Sequence, residues 1–430
     1  MCHCLGTVQK LLFTSFLITI DKDLEIYREG LHASSAPEYN KLCPEGKKTE
    51  DGGLYPCYMV TMLVEEGKVY ITSLFGRNGG ILKDGVITYS SANSGGEEAL
   101  IAGYLLEIYE MSLKHHIPDM EFTLYWGDHY EVNAADPDLS SLRMQYSKPM
   151  DNTDSQNPDS LLPVILQFNK QKKEPFVLMP HSSHHRCFEN NVDDLLSRLG
   201  EQDENERKPW DQRQAKAFGA WTVFCPYWTW SATWGSGRPM NCPREKLLEI
   251  ARENSTLLDL HSVEEKKPFE HYYQSKYAVY TDGFAASTQL EKLMLTGAAV
   301  LKQSSPRYTY FHHLLKPWEH YVPFWENNTH DIVGAVQWLR SHDQEAQRMA
   351  MAAGSVIRRY VNRQARLCYW ARLLQRIGGL MKYTPVRCKD RKVCASLKDQ
   401  LVYMGKHVKL NCSRGQSLAQ HVERLLMRTA

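Results

Sequence analysis

The most informative pattern of apolar and polar positions lies in residues 276–323. Residues 277–280 are β-prone, and Asp282 with Gly283 is a turn signal. Apolar or small residues then recur at the i, i+3, i+4, i+7 spacing of a helix packed on a sheet, at Leu290, Leu293, Met294 and Gly297. Residues 298–301 form the next apolar run. The segment therefore predicts a strand, a turn, a helix and a second strand.

The start of this predicted helix is a candidate phosphate site. Thr288 and Glu291 fit a T-x-x-E capping box, which places the helix start near Ser287. Unpaired backbone N–H groups and the positive dipole end of a helix favour a bound phosphate. An ordinary strand–helix–strand unit with a capped helix and no ligand has the same pattern.

The chain before residue 197 carries the signals of another α/β region. Amphipathic spacing predicts a helix over residues 97–113, and Pro118 ends the connection that precedes the next strand. Short strands are predicted at residues 69–74, 85–89, 121–126, 163–168 and 175–179. A polar stretch at residues 136–160 predicts a loop on the same edge of the sheet.

Two segments depart from the α/β pattern. Residues 197–213 are strongly charged and predict the passage between two domains. A short strand is predicted at residues 216–218, and residues 220–233 after it are dense in aromatic side chains. Three explanations of this aromatic stretch stay open: an aromatic sugar-binding lip, a buried aromatic strand, or an artefact of gene prediction such as a retained intron.

Length and composition fit more than one α/β domain. The 430 residues exceed one domain, and 43% hydrophobic with 11% aromatic residues are enough for buried cores. The net charge of +1 gives no reason to expect nucleic acid. From Arg340 to the end, 19 Lys and Arg stand against 5 Asp and Glu, so this quarter is either a solvated basic face or a surface for a polyanion.

Cysteines and glycosylation sequons favour the secretory pathway. There are eleven cysteines and three N-x-S/T sequons, at Asn254, Asn327 and Asn411. The cysteines lack zinc-site spacing, so we expect disulfides and at least one odd thiol, with Cys388 and Cys394 close together in the chain.

The sequence predicts neither a membrane span nor a metal site. Residues 11–20 are apolar but fewer than the roughly 20 that a spanning helix needs, and they predict either a targeting remnant or an ordinary buried segment. The histidine doublets at residues 115–116, 184–185 and 312–313 are not at metal-ligand spacing.

Several motifs resemble those of one family. DGFAAS at residues 282–287 and LLKPWEHYVPF at residues 314–324 are similar to motifs of the capsular-associated, lipopolysaccharide-modifying glycosyltransferases, family 90. The animal members of that family are the Rumi-type protein O-glucosyltransferases. The similarity continues, in order, in IPDMEFTLYWGDHY at residues 117–130, WGSGR at residues 234–238 and a helix over residues 331–360. It covers residues 60–370 in fragments.

The resemblance implies that Asp128 is the catalytic base. This aspartate matches the family's base by its place after the D-x-x-F motif of residues 119–122. It also follows a predicted strand, where open α/β sheets place their ligands. An aspartate that only caps a turn has the same local context. The proline that follows this aspartate in the family is absent here.

The resemblance also implies a site for a nucleotide sugar. Arg238 is the expected cation for the diphosphate, because a guanidinium can bridge two phosphate oxygens. The family has one fewer residue between the glycine and the arginine of this motif. The residues implied for donor binding are Gly235, Ser236, Arg238, Gly283, Phe284, Ala285, Ala286, Ser287 and Lys292.

One departure affects the donor site. Gln289 and Glu291 stand where animal relatives carry a basic residue and a lysine, and Lys292 is displaced by one position. A carboxylate in the first turn suits the dipole of an empty helix end but repels a diphosphate. A member with reduced donor affinity therefore stays in consideration.

The expected fold class is α/β, with two Rossmann-like domains in the GT-B arrangement and a C-terminal helical tail. The expected boundaries are an irregular lead-in at residues 1–56, an acceptor-side domain at 57–205, a UDP-sugar-binding domain at 206–370 and a basic tail at 371–430. We expect this tail to be able to pack back on the N-terminal domain.

The resemblance implies an inverting, metal-independent transfer of glucose or xylose from a UDP-sugar to a protein serine or a glycan. No cofactor is expected beyond this co-substrate. The expected partners are the donor and a protein or polysaccharide acceptor, without nucleic acid, and the expected form is a monomer in the lumen of the endoplasmic reticulum or Golgi. A non-catalytic lumenal binding or scaffold protein of the same fold is the alternative.

Overall fold

The structure is a computed structural model, and it describes the greater part of the chain. The described residues are 18–32, 59–73, 81–88, 97–127, 164–171, 174, 176–182, 191–198, 208–223, 242–265, 267–283, 285–408, 411–412 and 416–427.

The described strands, in chain order, are β1 (Met59–Glu65), β2 (Lys68–Ile71), β3 (Ile81–Lys83), β4 (Val86–Thr88), β5 (Met120–Tyr125), β6 (Ile165–Gln167), β7 (Asn169–Gln171), β8 (Val177–Leu178), β9 (Gln214–Trp221), β10 (Leu258–Ser262), β11 (Ser275–Tyr280), β12 (Ala299–Gln303), β13 (Arg307–Thr309), β14 (Val322–Phe324), β15 (Ala395–Ser396), β16 (Asn411–Cys412) and β17 (Gln416–Ser417).

The α-helices whose two ends are both described are α1 (Glu97–Lys114), α2 (Val192–Arg198), α3 (Pro243–Glu253), α4 (Leu290–Leu295), α5 (Asp331–Ser341), α6 (Asp343–Tyr360), α7 (Arg363–Leu380), α8 (Leu397–His407) and α9 (Leu418–Met427). Residues 18–24 are also helical.

The chain forms two compact units, and the first combines Met1–Glu189 with Arg363–Ala430. Its main sheet has the order β15-β2-β1-β5-β6-β8. Pairing is antiparallel from β15 to β5 and parallel from β5 to β8. The central strand β1 was not predicted, because six of its seven positions are buried and it lacks the alternation of a half-buried strand.

Buried ion pairs fasten α7 to α1 in the first unit. Arg366 donates from Nε to Glu107 Oε1 over 2.7 Å, and both side chains are almost fully buried. The indole of Trp370 donates to the other Glu107 oxygen over 3.2 Å. Arg363 binds Glu110 in the same way, with 2.8 Å between Nε and Oε2. Part of the C-terminal basic excess therefore neutralises carboxylates inside this unit instead of facing solvent.

The second unit, Asn190–Asn362, contains an all-parallel sheet. Its order is β10-β9-β11-β12-β14, which is the 2-1-3-4-5 order of a doubly wound sheet when the five strands are numbered along the chain. The strands are apolar along most of their length, as expected for a sheet covered on both faces. One core packs alternate strand residues such as Val279 and Leu301 against α3, α5 and α6.

The structure confirms most of the predicted elements and corrects two. The helix predicted at residues 97–113 is α1, and the strand predicted at 298–301 is β12. The helix predicted at residues 331–360 is broken at His342 into α5 and α6. The capping box is wrong, because α4 begins at Leu290 after Gln289 and has no side-chain cap. The Tyr280 hydroxyl lies 3.2 Å from the carbonyl oxygen of Ser287, which precedes the helix.

The cysteines agree with the expected mixture of disulfides and an odd thiol. Cys388 and Cys394 form a disulfide with an S–S distance of 2.08 Å. Cys242 is also disulfide-bonded, whereas Cys368 carries a buried thiol in α7. Within the described ranges, no helix has both the length and the apolar character needed to cross a bilayer.

Arg366→Met tests the ion pair that fastens α7. We expect the variant to lose about 3 to 5 kcal/mol of unfolding free energy, because Glu107 stays buried without its guanidinium. Urea denaturation followed by circular dichroism measures the change. The matched control is Arg376→Met in the same helix, whose partner Asp21 is exposed, and it should change stability by less than about 1 kcal/mol. Equal losses in the two variants would contradict the prediction.

Candidate active site

The candidate site lies at the carboxyl edge of the sheet in the second unit. After β9 the chain forms β10 on one side of it, and the next strand, β11, lies on its other side. The strand order therefore reverses between β9 and β11. Open α/β sheets bind ligands outside the carboxyl ends of their strands at such a point. The connection that follows β9 carries the WGSGR motif, and the loop of residues 283–287 follows β11. In chain order the two predicted donor-binding segments therefore follow neighbouring strands, and residues 234–238 lie outside the described residues.

Arg244 joins these two strand ends. Its guanidinium donates from Nη1 to the carbonyl oxygen of Thr222, just after β9, over 2.6 Å. Nε donates to the carbonyl of Asp282, just after β11, over 2.9 Å, and Nη2 lies 3.4 Å from the carbonyl of Thr281. Arg244 lies in the first turn of α3, where a cation opposes the helix dipole. The strand-end carbonyls offset this cost.

Gly283 leaves room for this arginine. A Cβ atom built at residue 283 would lie 3.1 Å from Arg244 Nη2 and 3.5 Å from Cζ. The backbone N–H of Gly283 donates to the Ala285 carbonyl over 3.0 Å, which closes the turn at the start of the loop. A glycine at this position therefore lets the loop lie against the guanidinium.

Asp282 is the centre of a buried polar cluster beneath the loop. Tyr280 donates its hydroxyl to Asp282 Oδ1 over 2.7 Å, and the Ser305 hydroxyl donates to Oδ2. Burial raises the pKa of Tyr280 well above its ordinary value, and the Asp282 charge adds to the effect. The carboxylate thus binds one residue of β11 and one residue beyond β12, and it fixes the direction in which the loop leaves the sheet.

Gln303 completes the cluster from the end of β12. Its Oε1 accepts from the Thr281 hydroxyl over 2.5 Å and from the Asp282 backbone N–H over 3.1 Å. Because both partners are donors, the amide cannot be rotated by 180°. Its Nε2 group is fully buried and has no hydrogen-bond acceptor among the described residues.

Two titratable groups lie beside this cluster. Lys302 is buried, and desolvation lowers its pKa, although the Asp282 carboxylate partly opposes the shift. His312 belongs to the 3₁₀ turn His312–Leu314, and burial together with the Lys302 charge holds its pKa well below the ordinary value. The imidazole is therefore neutral at pH 7.

The sequence-predicted residues fall into three groups. Gly283, Ala285, Ala286 and Ser287 form one loop beside the Asp282 cluster, and both alanines are buried. Lys292 is half-buried in α4, and desolvation lowers its pKa; no described contact joins it to the loop, so its donor role stays a prediction. The remaining predicted residues, Asp128, Gly235, Ser236, Arg238 and Phe284, lie outside the described residues.

Sequence reasoning missed Arg244, Lys302 and Gln303. Two signals could have identified them. An arginine in the first turn of a helix opposes the helix dipole and so indicates a specific partner. A lysine followed by a glutamine directly after an apolar run indicates a strand end whose side chains make polar contacts. No grouping of three or more His, Cys, Asp or Glu side chains suited to a metal occurs within the described ranges.

Arg244→Lys tests the connection between the two strand ends. An ammonium cannot bridge the Thr222 and Asp282 carbonyls as a guanidinium does, so we expect a loss of about 1 to 3 kcal/mol of unfolding free energy. Urea denaturation measures it. Arg252→Lys, at an exposed position of the same helix, is the control and should stay within about 0.5 kcal/mol of wild type. Indistinguishable midpoints for the two variants would contradict the assignment.

His312→Gln tests the neutral imidazole. The unfolded histidine takes up a proton near its ordinary pKa of about 6.5, whereas the folded one does not, so stability is complete above this pH and falls as the pH decreases. Between pH 7.5 and 5 the wild-type protein should lose up to about 2 kcal/mol of unfolding free energy through this histidine, and the variant should not show this part of the loss. His313→Gln, at the exposed neighbouring position, removes only the smallest of the causes that lower the pKa of His312 and should keep most of the wild-type dependence. A wild-type slope in His312→Gln would refute the role of burial.

Comparison with known proteins identifies the family. The family described as "Glycosyl transferase family 90" matches residues 105–412. Protein O-glucosyltransferase 3 of Mus musculus is 26% identical over 300 residues, which are 65% of this chain and 51% of that protein. Protein O-glucosyltransferase 1 of Homo sapiens is 24% identical over 212 residues, 43% of this chain and 54% of that protein.

The chain spans about half the length of these curated relatives. Among solved structures, the crystal structure of TarM aligns with 75% of this chain and 69% of that chain at 11% identity, with a TM-score of 0.34. The family match covers well over half of the 430 residues. The chain belongs to glycosyl transferase family 90.

Proposed function

We propose that the protein is an inverting, metal-independent glycosyltransferase that moves glucose or xylose from a UDP-sugar to the hydroxyl of a protein serine or a glycan. The observation that carries this proposal is the 283–287 loop, which leaves the carboxyl edge of a parallel sheet beside the point where the strand order reverses. Arg244 and the Asp282 cluster hold this loop against the strand ends. Family membership supports the reaction class.

The reaction we propose is a single displacement. Asp128 takes the proton of the acceptor hydroxyl while its oxygen attacks the anomeric carbon of the sugar. The bond between that carbon and the diphosphate breaks, UDP leaves with the electron pair, and the configuration at the carbon is inverted. Arg238 and the 283–287 loop stabilise the negative charge that develops on the diphosphate. None of these steps needs a metal ion.

The proposed architecture is a GT-B fold with two Rossmann-like domains and a C-terminal helical tail. The compact unit Asn190–Asn362 takes the place of the domain expected at 206–370, and the tail from Arg363 belongs to the first unit. The parallel sheet of the second unit supports the assignment of donor binding to that unit. The acceptor is assigned to the N-terminal domain. The disulfide between Cys388 and Cys394 supports a lumenal, oxidising location in the endoplasmic reticulum or Golgi.

A second candidate function is a non-catalytic binding or scaffold protein of the same fold. The observation that favours it is Glu291, a buried carboxylate in the first turn of α4, where animal relatives carry a lysine. A buried negative charge near the loop weakens the binding of a diphosphate. The two candidates differ in donor affinity.

A UDP-sugar hydrolysis assay tests the enzyme, because many transferases slowly release sugar to water. With UDP-glucose and UDP-xylose as donors, we expect turnover by wild type and a loss of about 100- to 10,000-fold in Asp128→Asn. Asp119→Asn is the matched control at the opposite end of β5; an asparagine oxygen can still accept the hydrogen bond that Asp119 receives from the Glu66 N–H. Turnover by Asp128→Asn within a few-fold of wild type would remove Asp128 as the base.

Calorimetry separates the two candidate functions. An enzyme should release or absorb heat with UDP, UDP-glucose or UDP-xylose below millimolar concentration. The absence of any heat at millimolar donor would favour the non-catalytic protein.

A further inference from the structure

Lys302 carries a buried ammonium with few hydrogen bonds. Only 8% of the residue is exposed. The Nζ atom lies 5.7 Å from the ring centre of Tyr280 and 5.5 Å from that of Tyr321. Among the described residues, the Lys302 ammonium donates one hydrogen bond, a long one of 3.4 Å to the Gln303 carbonyl oxygen. An ammonium has three N–H donors, so the described residues leave it with capacity for further acceptors.

The Asp282 carboxylate does not accept from the remaining N–H donors of Lys302. Its carboxylate lies close enough to favour the charged form of Lys302. Both of its oxygens, however, accept hydrogen bonds from the hydroxyls of Tyr280 and Ser305. In the described part of the chain no hydrogen bond joins the carboxylate to the ammonium. Lys302 therefore has a nearby charge and two aromatic faces, and it lacks the direct partner that buried ammonium groups usually have.

The position of Lys302 in the sheet places it at the candidate site. It pairs with Tyr280 on β11 and with Pro323 on β14, at the carboxyl ends of these parallel strands. Residues paired on neighbouring strands lie on the same face, and the ring contact with Tyr280 agrees with this. Tyr280 in turn contacts Asp282, which precedes the 283–287 loop, and Ser287, which ends it. The ammonium thus lies beside the base of the loop assigned to the donor.

We propose that Lys302 binds the diphosphate of the nucleotide sugar and supplies the positive charge that Gln289 and Glu291 do not. The inference rests on the proposed function and adds a phosphate-binding residue to the same site. A lysine serves phosphates as a compact point charge, and each charged hydrogen bond to a phosphate oxygen spans about 2.7 to 2.9 Å. The neighbouring Nε2 group of Gln303, which is buried without an acceptor, is a further donor at the same strand end.

Calorimetry with UDP and with uridine tests the proposal, since uridine lacks the diphosphate. We expect Lys302→Met to weaken UDP binding by about 10- to 100-fold and to change uridine binding by less than about threefold. Lys276→Met is the matched control. Lys276 also lies over an aromatic ring, that of Trp210, but near the amino end of β11, and it is paired with Asp343 over 2.7 Å. The Lys276→Met variant should bind UDP as tightly as the wild-type protein does.

A second variant separates phosphate binding from a purely structural role. Lys302→Met leaves Asp282 without its nearby cation, and the double variant Lys302→Met with Asp282→Asn removes both charges. The new amide oxygen can accept from the Tyr280 hydroxyl, and the new NH2 group can donate to the Ser305 hydroxyl. If Lys302 contacts the diphosphate, the double variant keeps the weakened UDP affinity and the intact uridine affinity. If Lys302 only balances Asp282, the double variant regains wild-type UDP affinity, and the proposal is wrong.

Failure of this inference can be distinguished from failure of the proposed function. Wild-type protein that binds neither UDP nor a UDP-sugar at millimolar concentration overturns the proposed function and this inference with it. Wild-type protein that binds UDP, together with unchanged UDP affinity in Lys302→Met, overturns only the role of Lys302. Equal weakening of UDP and uridine binding also counts against it, since a phosphate contact is absent from uridine.

Discussion

The candidate site depends on one interaction, the contact of the Arg244 guanidinium with the backbone where β9 and β11 end. Parallel strands present their last carbonyl groups at one edge, and carbonyls that face a ligand loop are not paired by a neighbouring strand. A single planar guanidinium with several donors can satisfy carbonyls on two strand ends at once, as the distances to Thr222 and Asp282 show. One side chain therefore fixes the backbone just after β9 and just after β11.

Several other polar groups of the loop base are satisfied by side chains of β11, of β12 and of Ser305 beyond it. The Asp282 N–H donates to Gln303, and the Asp282 carboxylate accepts from Tyr280 and Ser305. A loop this close to a sheet cannot rely on water for its backbone partners, so buried side chains must replace it. This requirement explains why polar residues end apolar strands here. Among the described residues, the Lys302 ammonium has only one long hydrogen bond and the Gln303 Nε2 group has no acceptor. Both donors favour a negatively charged or carbonyl-rich ligand.

The sequence predicted the elements whose periodicity is set by local burial, and it missed contacts made by residues far apart in the chain. α1 and β12 were predicted from their own spacing, since each has the apolar pattern of its environment. The strand β1 was missed because a fully buried strand has no alternation. The helix start was misplaced because the T-x-x-E pattern is not used as a cap: α4 begins at Leu290 and has no side-chain cap.

The same limit applies to the site. Motif resemblance indicated the 283–287 loop, because its small residues are contiguous in the chain. Arg244 lies 39 positions before Gly283, and their proximity follows only from the strand order. Lys302 is nearer in the chain, but its role depends on which face of β12 it occupies, and the register with Tyr280 decides this.

The first turn of α4 is poorly suited to hold a diphosphate by itself. α4 has six residues and begins at Leu290, so its dipole is small and its first turn carries Glu291. A diphosphate bound only to this helix end would meet a carboxylate. Cations provided by the strands and by α3 avoid that conflict, because they lie at the carboxyl edge of the sheet and are already desolvated, which strengthens their attraction for an anion. The substitutions at residues 289 and 291 are therefore compatible with donor binding, provided that the diphosphate lies towards β12.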